Sequence, residues 1–329
     1  MHSDNPIGGV SWRVFQAVLV IVLAYVLTFL ILTILPGDPV TNILLDPENG
    51  FSEAELAPII AYYGFDRPVP EQLWRSISRF AVGDFGISIR SNTPVANLVM
   101  QALPSTLLLA GAALAIALVL ALVIAYAAQN LPDRWGQGIV RALPSVSLSI
   151  PSFVIGLLLI QVFSFQLGIF RITDPDSLAA TLFAALALGV PVSAQIAEVL
   201  IANLDHESRQ EYVAVARSRG LNNFTLFTRH LIRPSSLPVV TMIALAVGEL
   251  LGGSLITETI FGRQGIGSLV QSAVSTQDFP VLQAVVSLAA VVFVVVNLAA
   301  DLLYPLIDPR LRAKRTHKRA AVVAQEGAH

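Results

Sequence analysis

The sequence predicts an all-α integral membrane protein with six transmembrane helices. Of 329 residues, 55% are hydrophobic and only 13% are charged, about half the charged share of a soluble domain. Mean hydropathy is +0.71. The apolar residues are also gathered into six runs, each long enough for a bilayer core of about 30 Å, which takes about 20 helical residues. Finally, Lys and Arg in short loops are strongly one-sided, the pattern that orients multi-span proteins.

In chain order, a polar stretch at 1–13 precedes the first run, 14–35. That run is too long for a signal-peptide core and no small-residue cleavage site follows, so it is expected to be retained. Residues 36–102 form a loop of 67 residues with eight acids. Within it Ser52 and Glu55 make a capping box that opens a short helix to about Tyr63. Pro70 suits the first position of a second helix with Leu73, Ile77 and Phe80 on one face, and Gly83-Asp84-Phe85-Gly86 ends the unit. The loop reads as a small extracytoplasmic helical subdomain, either a docking surface or a passive cover.

A core of five further runs spans 103–306. The second and third runs, 103–128 and 143–170, carry no charge. The fourth, 178–204, contains Glu198; the fifth, 235–260, contains Glu249 and Glu258; the sixth, 281–306, contains Asp301. A basic tail follows at 307–329, suited to anchoring topology and touching anionic lipid. Arg13, Arg134, Arg141, five arginines between runs four and five, and six basic residues in the tail share one side, against Arg171 and Arg263 on the other. Both termini are therefore expected in the cytoplasm.

Several functions are excluded. There are no cysteines, so no disulfide or thiolate chemistry. The only lysines, Lys314 and Lys318, lie in the tail, so there is no phosphate-cradling G-x-x-x-x-G-K-[ST] loop. None of the five histidines falls inside an apolar run, which disfavours an intramembrane protease or zinc enzyme. A net charge of −2 offers no case for nucleic-acid binding.

The polar segment 205–234 is helical in pattern. Asp205 is placed to cap a helix running to Arg219, Gly220 to end it in the left-handed region, and Asn222 to cap a shorter helix. Phe224, Phe227 and Leu231 then share a face and Pro234 closes the segment. Two exposed phenylalanines either rest on the protein's own loops or lipid, or insert into a partner's groove.

Acids inside spans are costly and often functional. Glu249, beside Gly248 and Gly252-Gly253, reads as a pathway carboxylate for an amine or metal, or as a carboxyl bonded to a neighbouring helix. Gly252, Gly253 and Ser254 serve small-residue packing or line a pathway. Glu258 and Arg263 read as a gate or subunit contact, or as a solvated interfacial pair. Glu198 can reach water at the inner face, and Asp301 can pair with tail arginines.

Residues 211–221, Glu-Tyr-Val-Ala-Val-Ala-Arg-Ser-Arg-Gly-Leu, resemble the E-A-A…G signature of ABC-importer permeases. Arg229-His230, Arg233, Leu237-Pro238-Val239-Val240, Leu251-Gly252-Gly253-Ser254, Glu258-Thr259-Ile260-Phe261, Gly265-Ile266-Gly267, Asn297, Asp301-Leu302-Leu303-Tyr304 and Asp308-Pro309-Arg310 continue the form of the dipeptide/oligopeptide/nickel permease family. Leu35-Pro36-Gly37-Asp38-Pro39, Asp66-Arg67-Pro68 and Gly83-Asp84-Phe85-Gly86 resemble its first-permease branch. The likeness departs at Val192 and Gln195, where the family often carries arginines.

The resemblance implies a type I importer permease fold in a bacterial inner membrane. It implies a second permease subunit, two ATPase subunits that bind ATP and Mg, and an extracytoplasmic substrate-binding protein. This chain itself would be non-catalytic and would bind no cofactor or metal. The coupling surface would comprise Glu211, Ala216, Gly220, Asn222, Asn223, Phe224, Leu226, Phe227 and Arg229. Phe224 and Phe227 would fill an ATPase cleft while Glu211 and nearby arginines fix orientation by capping and ion pairs. Glu249, Gly252, Gly253, Ser254 and Glu258 would line the pathway. The implied substrates are short peptides, with nickel, nickel chelates and peptide-like or glycosidic solutes as further options. The competing reading is a proton- or ion-coupled secondary transporter using Glu249 and Glu198, which should show paired broken helices in an inverted repeat.

Overall fold

A computed structural model describes residues 6–34, 62–64, 67–132, 134 and 136–307. Regular structure among these residues is helical throughout, with a single isolated bridge between Ile87 and Pro94. The elements are α1 (Pro6–Ile34), α2 (Val69–Ala81), α3 (Val95–Asn130), α4 (Gln137–Leu148), α5 (Ser152–Leu159), α6 (Leu178–Ser208), α7 (Glu211–Ser218), α8 (Asn223–Leu226), α9 (Ile232–Ile260), α10 (Ile266–Ser275) and α11 (Phe279–Ile307). Five stretches are long and apolar enough to cross a bilayer, and α4 with α5 makes a sixth if that bent pair is one span. The predicted helix at Ser52 lies outside the described residues.

The chain divides into two compact units. The first comprises residues up to Leu108 together with Gly262–Val294. In it α2 begins after Pro68, with Pro70 one position later than the sequence pattern suggested. Proline is tolerated there because the first helical N–H groups have no intrahelical acceptor. The loop after α2 is pinned by Asp278, whose carboxylate accepts from the Ser88 hydroxyl and from the Ile89 N–H at 3.2 Å. A small core of Val95, Ala273, Val281, Ala284 and Val285 closes this unit.

The second unit holds Leu109–Phe261 and the residues from Val295 onward. Its centre is α6, against which α4, α5 and α9 pack. From α3 it receives a stripe of fully buried alanines at 113, 117, 121 and 125. Their four-residue spacing puts them on one face, while Val119, Leu122 and Val123 on the other faces stay exposed. Small side chains let backbones approach closely. One such close approach is at Gly189 of α6, where a Cβ would sit 2.8 Å from the Ala113 carbonyl oxygen.

Three expectations are corrected. The third apolar run is not one straight span: α4 and the helix Ser152–Gln166 meet at 101°. Pro151 causes the break, sitting extended at φ −58°, ψ 142° ahead of α5, since its ring excludes a continuing helical bond. Asp205 does not cap a new helix, because α6 runs through it to Ser208 and α7 starts only at Glu211. Pro234 does not end a helix either. The π turn Phe227–Leu231 precedes it, and the helix is unbroken from Asn223 to Ile260. A π turn widens the coil, and Pro234 stands in the first turn of α9.

Candidate functional site

The site has two parts, both in the second unit: the polar segment between α6 and α9, and a cavity walled by the same two helices.

The polar segment is a set of short helices held in register by identifiable bonds. At the end of α7 the Gly220 N–H donates to the Arg217 carbonyl at 2.9 Å and the Leu221 N–H to the Ala216 carbonyl at 3.4 Å. This paired pattern satisfies two of the helix's last carbonyls. It requires a left-handed residue, and Gly220 supplies φ +79°. Asn222 then caps α8, its Oδ1 accepting from the Thr225 N–H at 2.8 Å. Tyr212 ties the segment together: its hydroxyl donates to Glu207 Oε2 at 2.8 Å and lies 3.4 Å from the His230 carbonyl. Burial first, then the bond to Glu207, pushes the phenol up to about 12, so it remains a donor at any physiological pH.

The expected pair of exposed phenylalanines is half right. Phe224 is 63% exposed, but Phe227 is only 5% exposed. Phe227 meets Tyr126 of α3 edge-on with ring centroids 5.0 Å apart, and Phe224 touches the same ring at 6.1 Å. Positions i and i+3 differ by about 60° around a helix, given 3.6 residues per turn, and the protein surface falls between them. Leu226 and Ala216 are buried as well. The coupling candidates at the surface are Glu211, Gly220, Asn222, Asn223, Phe224 and Arg229. Among the described ion pairs none involves Glu211. Within the chain Tyr212 ties the segment, and the end of α6 is held by Asp205, which binds Arg141 through two bonds of 2.8 and 2.9 Å and Gln129 at 2.5 Å. The sequence pattern did not reveal this cluster.

The cavity, about 230 Å³, lies at the bend between α4 and α5 and is lined in part by Pro151, Leu188, Pro191, Gln195, Glu249 and Gly253. Its polar lining is Ser152 and one bonded pair, Gln195 Nε2 donating to Glu249 Oε1 at 3.2 Å. Of the expected pathway residues, Glu249 and Gly253 line it. Gly252 faces open space, with nothing within 4 Å of a built Cβ. Ser254 and Glu258 are fully buried and do not line the cavity, and Ser254 Oγ donates to the Leu251 carbonyl at 2.9 Å. Arg263, in the first unit, is also buried, with Nη2 donating to Ser105 Oγ at 3.2 Å. Neither Glu258 nor Arg263 is thus a solvated surface charge. Glu198 is exposed and accepts from Ser145 at 3.0 Å. No cluster of three or more metal-ligating side chains occurs among the described residues.

Known proteins resemble this chain in sequence and fold. Residues 117–313 match the family model described as binding-protein-dependent transport system inner membrane component. The glutathione transport system permease proteins GsiC of Shigella boydii serotype 4 and of Escherichia coli (strain K12) are each 34% identical over 289 residues, covering 88% of this chain and 94% of theirs. A chain of the MetNI methionine ABC transporter in inward-facing conformations superposes with a TM-score of 0.55 at 16% identity, over 65% of this chain and 98% of that one. That likeness shows a shared type I importer permease fold. The match over most of the chain sets aside the secondary-transporter alternative, and the protein belongs to the binding-protein-dependent transport system inner membrane components, the permease subunits of ABC importers.

Proposed function

We propose that this permease forms half of the pathway for short peptides, pairing with a second permease. In this reading it couples to two ATPases that hold ATP and Mg, and it receives substrate from an extracytoplasmic binding protein. Both termini, and the segment with Phe224, face the cytoplasm. This chain contributes no catalytic group and binds no cofactor.

The observation that carries the reading is the placement of Gln195 and Glu249 on the cavity wall, on the two helices that flank the exposed Phe224. Glu249 suits the terminal ammonium of a peptide and Gln195 suits a backbone amide. The GsiC relatives are named for glutathione, itself a tripeptide, which agrees with a site for short peptides. Phe224 gives an ATPase an exposed apolar knob, with the exposed polar Asn223 and Arg229 in the same segment. Interfaces concentrate their energy in such central aromatic anchors.

The test is ATP-dependent uptake of labelled di- and tripeptides into proteoliposomes holding the assembled transporter. Peptide uptake that fails in Glu249→Gln at unchanged abundance supports the reading. Uptake of nickel alone, with no peptide transport, would replace the substrate class while keeping the importer.

A further inference from the structure

The first unit contains a larger cavity, about 450 Å³, which shares no lining residue with the cavity of Gln195 and Glu249. It is bordered by the end of α1, by α2 and by the start of α11. Its lining divides by chemistry. Phe29, Leu32 and Phe279 supply apolar lining, and Arg75 and Arg79, one helical turn apart on α2, supply positive charge.

Among the described residues, positive charge in this lining exceeds negative. Arg75 lies 3.5 Å from Glu71, a carboxylate that Arg67 also holds. Arg79 pairs with no carboxylate among the described residues; its guanidinium lies 3.9 Å over the ring of Tyr62. Asp84 also borders the cavity, but it accepts from the Tyr62 hydroxyl at 3.0 Å and from the Gly86 N–H at 2.9 Å. The wall offers an acceptor as well. Gln283 is 8% exposed and donates Nε2 to the Tyr25 carbonyl at 2.8 Å, yet its Oε1 receives no bond. Buried acceptors are rarely left bare.

The surrounding helices have the composition of a membrane boundary. α1 is a lipid-length apolar helix with Leu27 and Ile31 exposed. α2 buries none of its residues fully and leaves Trp74 71% exposed. Amphipathic helices with tryptophan and arginine lie at the headgroup level.

We propose that this cavity holds the headgroup and glycerol backbone of an anionic glycerophospholipid from the leaflet that α2 borders. Arg75 and Arg79 bind the phosphate, and a headgroup hydroxyl donates to Gln283 Oε1. The acyl chains leave past Phe29 and Leu32 into the bilayer.

The experiment uses the full-length chain in nanodiscs containing photoactivatable phosphatidylglycerol or phosphatidylcholine, with labelled peptides mapped by mass spectrometry. The expected result is phosphatidylglycerol label on residues 72–86 or 279–284, exceeding the phosphatidylcholine label by about fivefold or more, the contribution of one basic residue near an anionic surface. Arg75→Gln with Arg79→Gln brings the two labels level; Gln283→Met lowers the phosphatidylglycerol label alone. The charge-keeping pair Arg75→Lys and Arg79→Lys retains the preference, and it decides the matter if the glutamine pair does not fold. Equal labelling by both lipids, or label mapping elsewhere, overturns the proposal. Displacement by millimolar glycerol 3-phosphate or by a tripeptide as readily as by lipid also overturns it, in favour of a soluble ligand.

Discussion

Phe224 and Phe227 separate two roles that a shared helical face would merge. A phenylalanine side chain carries about 200 Å² of surface, worth about 25 cal/mol per Å² when buried. Phe227, 5% exposed in the main core cluster and set edge-on to Tyr126, therefore carries most of about 5 kcal/mol. Its truncation to alanine falls in the range of about 3–5 kcal/mol. Phe224, 63% exposed, hides little more than a third of its ring, so truncation costs at most about 1–2 kcal/mol by the same arithmetic. Phe227→Ala should lower abundance and detergent melting temperature, whereas Phe224→Ala should leave both near wild type. ATPase co-purification should respond in the opposite sense. Loss of a central aromatic anchor of at least about 2 kcal/mol weakens association about thirtyfold, so Phe224→Ala should strip the ATPase from a well-folded permease. Equal destabilisation by the two substitutions would refute the burial argument. A folded Phe224→Ala protein that retains its ATPase and its uptake would refute the knob.

The other predictions concern packing, hydrogen bonding, substrate and motion. Gly189→Ala places a methyl 2.8 Å from a backbone oxygen and should cost about 1–3 kcal/mol in unfolding measurements; Gly252→Ala, with open space around it, should be neutral or stabilise by up to about 1 kcal/mol. Tyr212→Phe should cost about 0.5–1.5 kcal/mol. Because the folded-state phenol is raised to about 12 from 10.0, that contribution is complete below pH 10 and fades only as pH rises through 12, so the gap between the two proteins should stay constant from pH 6 to 9. Glu249→Gln should reduce uptake of peptides with a free amino terminus about tenfold or more, the worth of a charge-assisted bond, and spare their N-acetylated forms. Spin labels at Glu198 of α6 and Leu245 of α9 should change separation during ATP turnover, while labels at Glu198 and Leu122 of α3 should not.

Hydropathy made the spans legible because each run must satisfy the bilayer on its own. The bend at Pro151 was not legible, because proline by itself is ambiguous: Pro144, Pro191 and Pro238 all lie inside continuing helices. Local chemistry was readable where both partners are near in sequence, as with Gly220 and the Asn222 cap. It failed where the partner is distant. Asp205 looks like a cap until Arg141, 64 residues earlier, takes its carboxylate. Phe227 looks exposed until Tyr126 covers it. Gly252-Gly253 drew attention as a pair, yet the tight crossing uses the solitary Gly189, which no local pattern distinguishes.

The geometry of the second unit says where movement is easy. The bonded pair of the cavity sits on helices that reach the polar segment: α6 carries Gln195 and Glu207, the acceptor of Tyr212, and the helix Asn223–Ile260 carries Phe224 and Glu249. The latter pair is 25 residues apart, about 38 Å at 1.5 Å per residue. A displacement applied at Phe224 can therefore reach Glu249 along one continuous helix, without a relay of side chains. What yields is then a matter of contacts. Between α6 and α3 a glycine lies against a backbone carbonyl with alanines along the same stripe, so the two helices are close-packed and resist relative motion. Between α6 and α9 the cavity's polar wall is held by a 3.2 Å bond, already near the limit for an N–H···O contact. α6 and α9 also pack extensively along their contact, so the pathway should open locally, at the cavity, by parting of this bond, with α3 travelling as part of α6.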